Sequence, residues 1–298
     1  MKFATAPIRP LTAIGVGLAV GATTLLGVPA PAAADQPQGA YWHTRVVYTK
    51  PHPWRFGSRS HPYALLEQQV MERWTRPDGK SWVGFRDLGT LPKSAADRKA
   101  WQRDGSPAKW SESIDGKTVK LSAEPSKGSV APVPNVSSFR LAGQSLTYDE
   151  VQRLPADPKV LKDWLTRAAR VGRVPESSIG RWVTGTLPQI LHDLPAPKAA
   201  RAAAYQALLT TPGVRSEGVV KDPLGRSGTA LLLEEPMNQK KSVASVKTRL
   251  IIDTGAMVLL SQHRTLSTDG RPTAGKDSHE TMIEVGWTDS PPVVPALP

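Results

Sequence analysis

The sequence predicts an α+β fold in which a curved antiparallel β-sheet packs over an inserted helical block. Three observations predict it. Strand-like runs punctuated by Pro, Asp and Gly fill residues 35–135 and return over 213–290. Between them, residues 136–212 carry apolar side chains at three- and four-residue spacing, the period of a helix face. No strand alternates regularly with a crossover helix, so the sheet is antiparallel. These segments are read as one domain, 35–290, followed by a disordered tail, 291–298.

Tyr41 to Thr49 is aromatic and β-branched and reads as a strand. Its alternation places Tyr41, Val47 and Thr49 on one face and Trp42, Val46 and Tyr48 on the other. Lys50 to Pro62, rich in proline, reads as loop. Gln69–Arg76 and Ser81–Asp87 flank Pro77-Asp78-Gly79-Lys80, residues suited to a tight turn, and form a hairpin. Leu88–Trp110 reads as irregular, and a second hairpin centres on Asp115-Gly116. Glu124–Asn135 reads as loop.

The helical block opens with the capping-box spacing Thr147-x-x-Glu150. Asp157 then caps a helix with Pro158 at its first position. Val160, Leu161, Trp164, Leu165 and Ala168 then fall at three- and four-residue intervals, and the helix stops at Gly172. Ser178–Asp193 and Pro197–Thr210 are the next helices. After Pro212-Gly213, Val214–Val220 and Ser227–Leu233 form a hairpin about Asp222-Pro223-Leu224-Gly225. Glu234–Val246 reads as loop. Strands follow at Thr248–Asp253, Met257–Leu266 and Thr281–Trp287, and Ser290–Pro298 reads as a frayed tail.

The N-terminus carries a targeting pattern. Met1–Pro10 is basic, Leu11–Val28 is uncharged and apolar, and Pro29–Ala34 supplies small residues, the order of a secretory signal peptide. An uncleaved membrane anchor through residues 11–28 is the alternative, because about 18 apolar residues is the lower limit for spanning a bilayer. Cleavage after Ala34 would leave 264 residues with a formal charge of +10. The expected location is therefore secreted or extracytoplasmic envelope. The chain contains no cysteine, which excludes disulfides, thiolate metal sites, cysteine catalysis and a lipid-modified N-terminal cysteine. The basic balance suits anionic envelope polymers or head groups. It contains no dense Lys/Arg tract, and nucleic acid is not an expected partner.

Few motifs carry chemistry. Leu250-Ile251-Ile252-Asp253-Thr254-Gly255 matches an aspartic-protease loop, but that chemistry needs two carboxylates sharing a proton. With no second such motif, a dimer would have to supply the other; the alternative reading is a hairpin turn. The six histidines show no zinc-binding spacing, and Gly-x-Ser-x-Gly and Gly-rich phosphate loops are absent. His43 reads as a satisfied sheet histidine and His279-Glu280 as a solvated strand edge. Nine tryptophans stand beside four phenylalanines. Indole offers a large apolar face with one donor, so Trp42, Tyr48, Trp74, Trp82 and Phe85 are the candidate ligand-binding residues. Trp74 and Trp82 are placed to pair across their hairpin turn.

Several stretches together resemble a family of exported or membrane-anchored actinobacterial proteins of unknown function. They are Tyr41-Trp42 to Tyr48-Thr49; Leu154 to Pro158 with Leu161 and Trp164-Leu165; and Ala203–Leu208 with Pro212-Gly213-Val214. Asp222 with Gly225-Arg226 and Gly228, and Leu250 to Asp253, complete the set. The resemblance implies no catalytic residues. The element order is also similar to that of envelope lipoprotein carriers and sigma-factor regulator sensor domains, which implies a curved sheet over helices with an apolar cavity.

The resulting expectation is a non-catalytic exported envelope protein that binds an apolar or amphiphilic ligand, or senses envelope state through a protein partner. No cofactor or metal is expected. The competing expectations are a dimeric aspartyl hydrolase using Asp253 and a basic wall-polymer-binding module.

Overall fold

The structure is a computed structural model describing residues 36–114, 116–238 and 243–297. Ala34–Pro298 forms one compact unit. The signal-segment reading of residues 1–34 lies outside the described residues. No helix among the described residues is long and apolar enough to cross a membrane.

The architecture is α+β, as the sequence predicts. β1 (Tyr41–Phe56), β2 (Tyr63–Thr75) and β3 (Ser81–Pro92) form an N-terminal meander, extended at its edge by β6 (Ser129–Pro132). β9 (Val214–Lys221), β10 (Ser227–Asn238), β11 (Val243–Asp253), β12 (Val258–Thr268) and β13 (Arg271–Thr288) form a C-terminal meander. Antiparallel pairing of β1 with β13 joins the two into one nine-stranded sheet, ordered β6-β3-β2-β1-β13-β12-β11-β10-β9. The helical block therefore connects opposite edges of the sheet and covers one face on the way. That face is called inner below. Register breaks at Arg45/Val46, Gln68/Gln69, Ala230/Leu231, Ile251/Ile252 and Thr265/Ser267 bend the strands, and such bulges add local twist and curvature.

The block holds α2 (Tyr148–Gln152), α3 (Pro158–Val171), α4 (Glu176–Ile190) and α5 (Lys198–Leu209), preceded by the short hairpin β7 (Phe139–Leu141) and β8 (Gln144–Leu146). Both predicted start signals are present. Thr147 and Glu150 bond reciprocally as a capping box, and the Asp157 carboxylate accepts from the Lys159 and Val160 amides at 2.9 and 2.8 Å. Leu161, Leu165, Ala168 and Ala169 of α3 are buried. They join Leu187, Ile190 and Leu208 of the other helices, and Val46, Leu231, Leu250, Ile252 and Met282 of the sheet, in the main core. Burying each Val, Leu, Ile or Met side chain among these contributes about 1.5–3 kcal/mol. A second core of Phe56, Tyr63, Leu65 and Trp110 lies under α1 (Ala95–Arg103) and the β4 (Lys109–Ile114)–β5 (Lys117–Ser122) hairpin.

Four segments read from sequence as irregular carry structure. β1 continues through the proline-rich 50–56 region because its register with β2 breaks between Pro51 and Arg55, where prolines need donate nothing to the ladder. Leu88–Trp110 contains the end of β3 and α1, whose N-cap Ser94 accepts from the Asp97 amide. Glu124–Asn135 supplies edge strand β6. Within 234–246, β10 runs on to Asn238 and β11 starts at Val243. The tail read as frayed has contacts to the sheet: Pro295 is buried, and the Ala296 carbonyl accepts from Arg45 at 2.6 Å.

Candidate functional site: a cavity between the sheet and the helical block

Strand alternation puts Thr44, Val46 and Tyr48 of β1 on the inner face. Their partners on β2 are Arg73, Met71 and Gln69. Where the helices stand off from these strands, a cavity of about 500 Å³ opens. Val46, Met71, Val133, Val136, Phe139 and Leu194 supply apolar wall, and Tyr48, Arg73, Arg140, Gln189 and Asp193 supply polar groups. The volume falls in the usual range for small-molecule sites, about 300–1,000 Å³.

Electrostatics in the cavity are uneven. The Asp193 carboxylate is open to the cavity but surrounded by protein. This enclosure pushes its pKa up to about 6, with Arg73 pulling the other way and Glu280 adding to the rise. The Tyr48 phenol is pushed up to about 12 by burial, then by Glu280 and Asp193. Glu280, the β13 partner of Tyr48, is itself raised by burial against the opposing pull of Arg264. A cationic side at Arg73 and Arg140 thus faces an acid that is readily protonated.

Beside Asp193, His192 is buried and neither ring nitrogen has a protein partner. Burial lowers its pKa to about 4. The folded state keeps His192 neutral while the unfolded chain takes up a proton below about 6.5, so its contribution to stability is lost as pH falls from about 6.5 to 4. Asp193 has the opposite sign: the folded state holds a proton that the unfolded chain releases, so stability falls as pH rises from about 4 to 6. The two contributions oppose over one window. Relative to wild type, His192→Leu is expected to lose less stability on acidification from pH 6.5 to 4, and Asp193→Asn to lose more. Urea unfolding midpoints between pH 4 and 7 read both slopes; parallel profiles for the two variants would contradict the assignment.

The five candidate aromatics do not converge. Trp42, Tyr48 and Phe85 share the inner face, and of these only Tyr48 lines the cavity. Trp42 is packed edge-on against Trp287 at 5.7 Å and directs its indole N–H to the His192 carbonyl at 3.4 Å. Phe85 is half-buried opposite Met71. Trp74 and Trp82 do pair across the β2–β3 turn, but on the outer face. There Trp74 stacks on His43 with ring centroids 4.9 Å apart, and Trp82 meets Tyr41 edge-on at 5.8 Å. The turn sets which residues pair, whereas pairing of His43 with Trp74 on the adjacent strand sets the face they occupy. Arg73, Arg140 and the Gln189–Asp193 pair escaped sequence reading because they come from β2, β7 and the end of α4, and no spacing links the three.

The other motifs resolve simply. Asp253-Thr254-Gly255 is the β11–β12 turn, and the Asp253 carboxylate accepts from the Gly255 and Ala256 amides at 2.8 and 3.0 Å. His43 has carboxylates at both ring nitrogens, Glu72 at 2.9 Å and Glu284 at 3.4 Å. His279 is not on a strand edge. β13 lies between β1 and β12, and His279 stacks on His263 at 5.3 Å, with burial lowering its pKa.

The fold and site thus define an α+β protein with a mixed polar and apolar cavity under a nine-stranded sheet. No protein-family profile matches the chain, and no curated protein matches it. Among solved structures, the chain is similar to a beta-barrel-like protein of a domain of unknown function, DUF1849, from Brucella abortus. The identity is 10%, covering 85% of this chain and 100% of that one, with a TM-score of 0.19.

Proposed function

We propose that the chain is an exported, non-catalytic envelope protein that holds an anionic amphiphile in the cavity between its sheet and its helical block. The observation that carries this reading is the cavity's composition. Val46, Met71, Phe139 and Leu194 offer an acyl or similar chain an apolar wall, and Arg73 and Arg140 offer its head group two cations. Burial of the apolar part supplies the driving force, while a guanidinium holds a carboxylate or phosphate by charge-assisted bonds. The non-catalytic part of the reading is supported by Asp253, whose carboxylate is engaged by its own turn. Export is supported by the order of segments in residues 1–34.

Titration of the chain with palmitate and dodecyl phosphate tests the reading. Saturable binding of at least one is expected, abolished by Met71→Trp, which fills the cavity. Arg73→Ala should weaken it about ten- to a hundredfold, the effect of losing one hydrogen bond to a charged group. Trp82→Ala, on the outer face, should leave it unchanged. A folded protein that binds neither probe, or binding indifferent to Met71→Trp, would count against the cavity.

A further inference from the structure

The outer face of β1–β3 carries a second built feature, on the reverse of the strands that line the cavity. Residues 291–297 have no regular secondary structure, and Val294, Pro295 and Ala296 lie against this face. Pro295 is buried there, and two glycines make its path possible. A Cβ on Gly84 would lie 2.9 Å from the Pro295 ring and 3.1 Å from the Trp74 indole, and a Cβ on Gly128 would lie 2.9 Å from Val294. Arg45, anchored to Glu72 at 2.8 Å, donates its other terminal nitrogen to the Ala296 carbonyl at 2.6 Å.

We propose that this groove is a recognition site for an extended, proline-containing peptide, and that Val294-Pro295-Ala296 of the chain itself occupies it as a tethered, exchangeable ligand. The chemistry is that of proline-peptide recognition: a buried proline ring and an indole that both border the Gly84 Cβ position, and a side-chain donor on a main-chain carbonyl. One further observation points to a ligand other than the tail. Arg86 shares the outer face with Gly84; its terminal nitrogen donates to the Lys127 carbonyl at 3.0 Å, but its Nε is buried without a protein partner, 2.9 Å from the Gly128 Cβ position beside Val294. The tail satisfies Arg45 but leaves this donor unmet, and an unmet buried donor is costly. A peptide with an acceptor at that point would therefore compete with the tail, despite the millimolar-order effective concentration that a short tether provides.

Two measurements test the site. Hydrogen exchange on the full chain should show the Val293, Val294, Ala296 and Leu297 amides opening at least about tenfold more readily than the β1–β2 ladder, as local release requires. A chain ending at Asp289 should fold cooperatively and bind a synthetic peptide of residues 290–298 saturably. Gly84→Val in that shortened chain should weaken binding about tenfold or more. The proposal is overturned if the tail amides exchange only with global unfolding, or if the shortened chain fails to fold. It is equally overturned if the folded shortened chain does not bind, or if Gly84→Val binds as well as its parent. A dimer of the full chain that disappears on removing the tail would assign the occupant to a second copy and overturn the tethered assignment.

Discussion

Replacing Glu72 by alanine is expected to destabilise the fold by about 3–5 kcal/mol, the usual cost of removing one partner from a buried ion pair. Glu72 is only 4% exposed, and its two carboxylate oxygens are divided between Arg45 at 2.8 Å and His43 at 2.9 Å. Alanine would leave the Arg45 guanidinium, held mostly out of water, without its carboxylate partner and with the Ala296 carbonyl alone, and would cut one of the two carboxylates that orient His43. Glu72→Gln keeps the volume and one acceptor and should lose less. The shift in urea midpoint, at unchanged dependence on denaturant, measures both. A loss below about 1 kcal/mol, the range of exposed ion pairs, would show that the network is solvated and that Arg45 is not rigidly placed for the tail.

Trp74→Ala is expected to cost a similar amount, about 3–5 kcal/mol, through the cavity that a truncated aromatic leaves in a packed site. Trp74 is 2% exposed, stacked on His43, and close to the Gly84 position where Pro295 packs. Trp82, its cross-strand partner, is only half-buried, so Trp82→Ala should cost distinctly less. Equal losses from the two variants would contradict the tighter packing of Trp74 on the outer face.

The legible parts of the fold were those coded locally. Capping residues at Thr147 and Asp157 and turns at Pro77-Asp78-Gly79-Lys80 and Asp222-Pro223-Leu224-Gly225 each act within a few residues, and each marks an element boundary that the structure contains. Segments stabilised from outside themselves were not legible. β6 is a four-residue strand that exists because β3 offers it an edge, and β1 passes through Pro53 because the register break between Pro51 and Arg55 excuses it from pairing. The candidate site failed for the same reason. Aromatic residues announced themselves in the sequence, but whether Trp74 faces the helices or the tail depends on pairing with His43, a neighbour 31 positions earlier in the chain. The polar cavity groups, contributed singly by β2, β7, α4 and the residues after it, leave no pattern to read.

Native mass spectrometry of the chain, purified under mild conditions from the cells that make it, would reveal the cavity ligand itself. A folded wild-type chain that carries an additional lipid-sized mass is expected, and a Met71→Trp variant that carries none. Wild-type protein that is folded and bare, with a spectrum the Met71→Trp substitution alters only by its own mass, would contradict it.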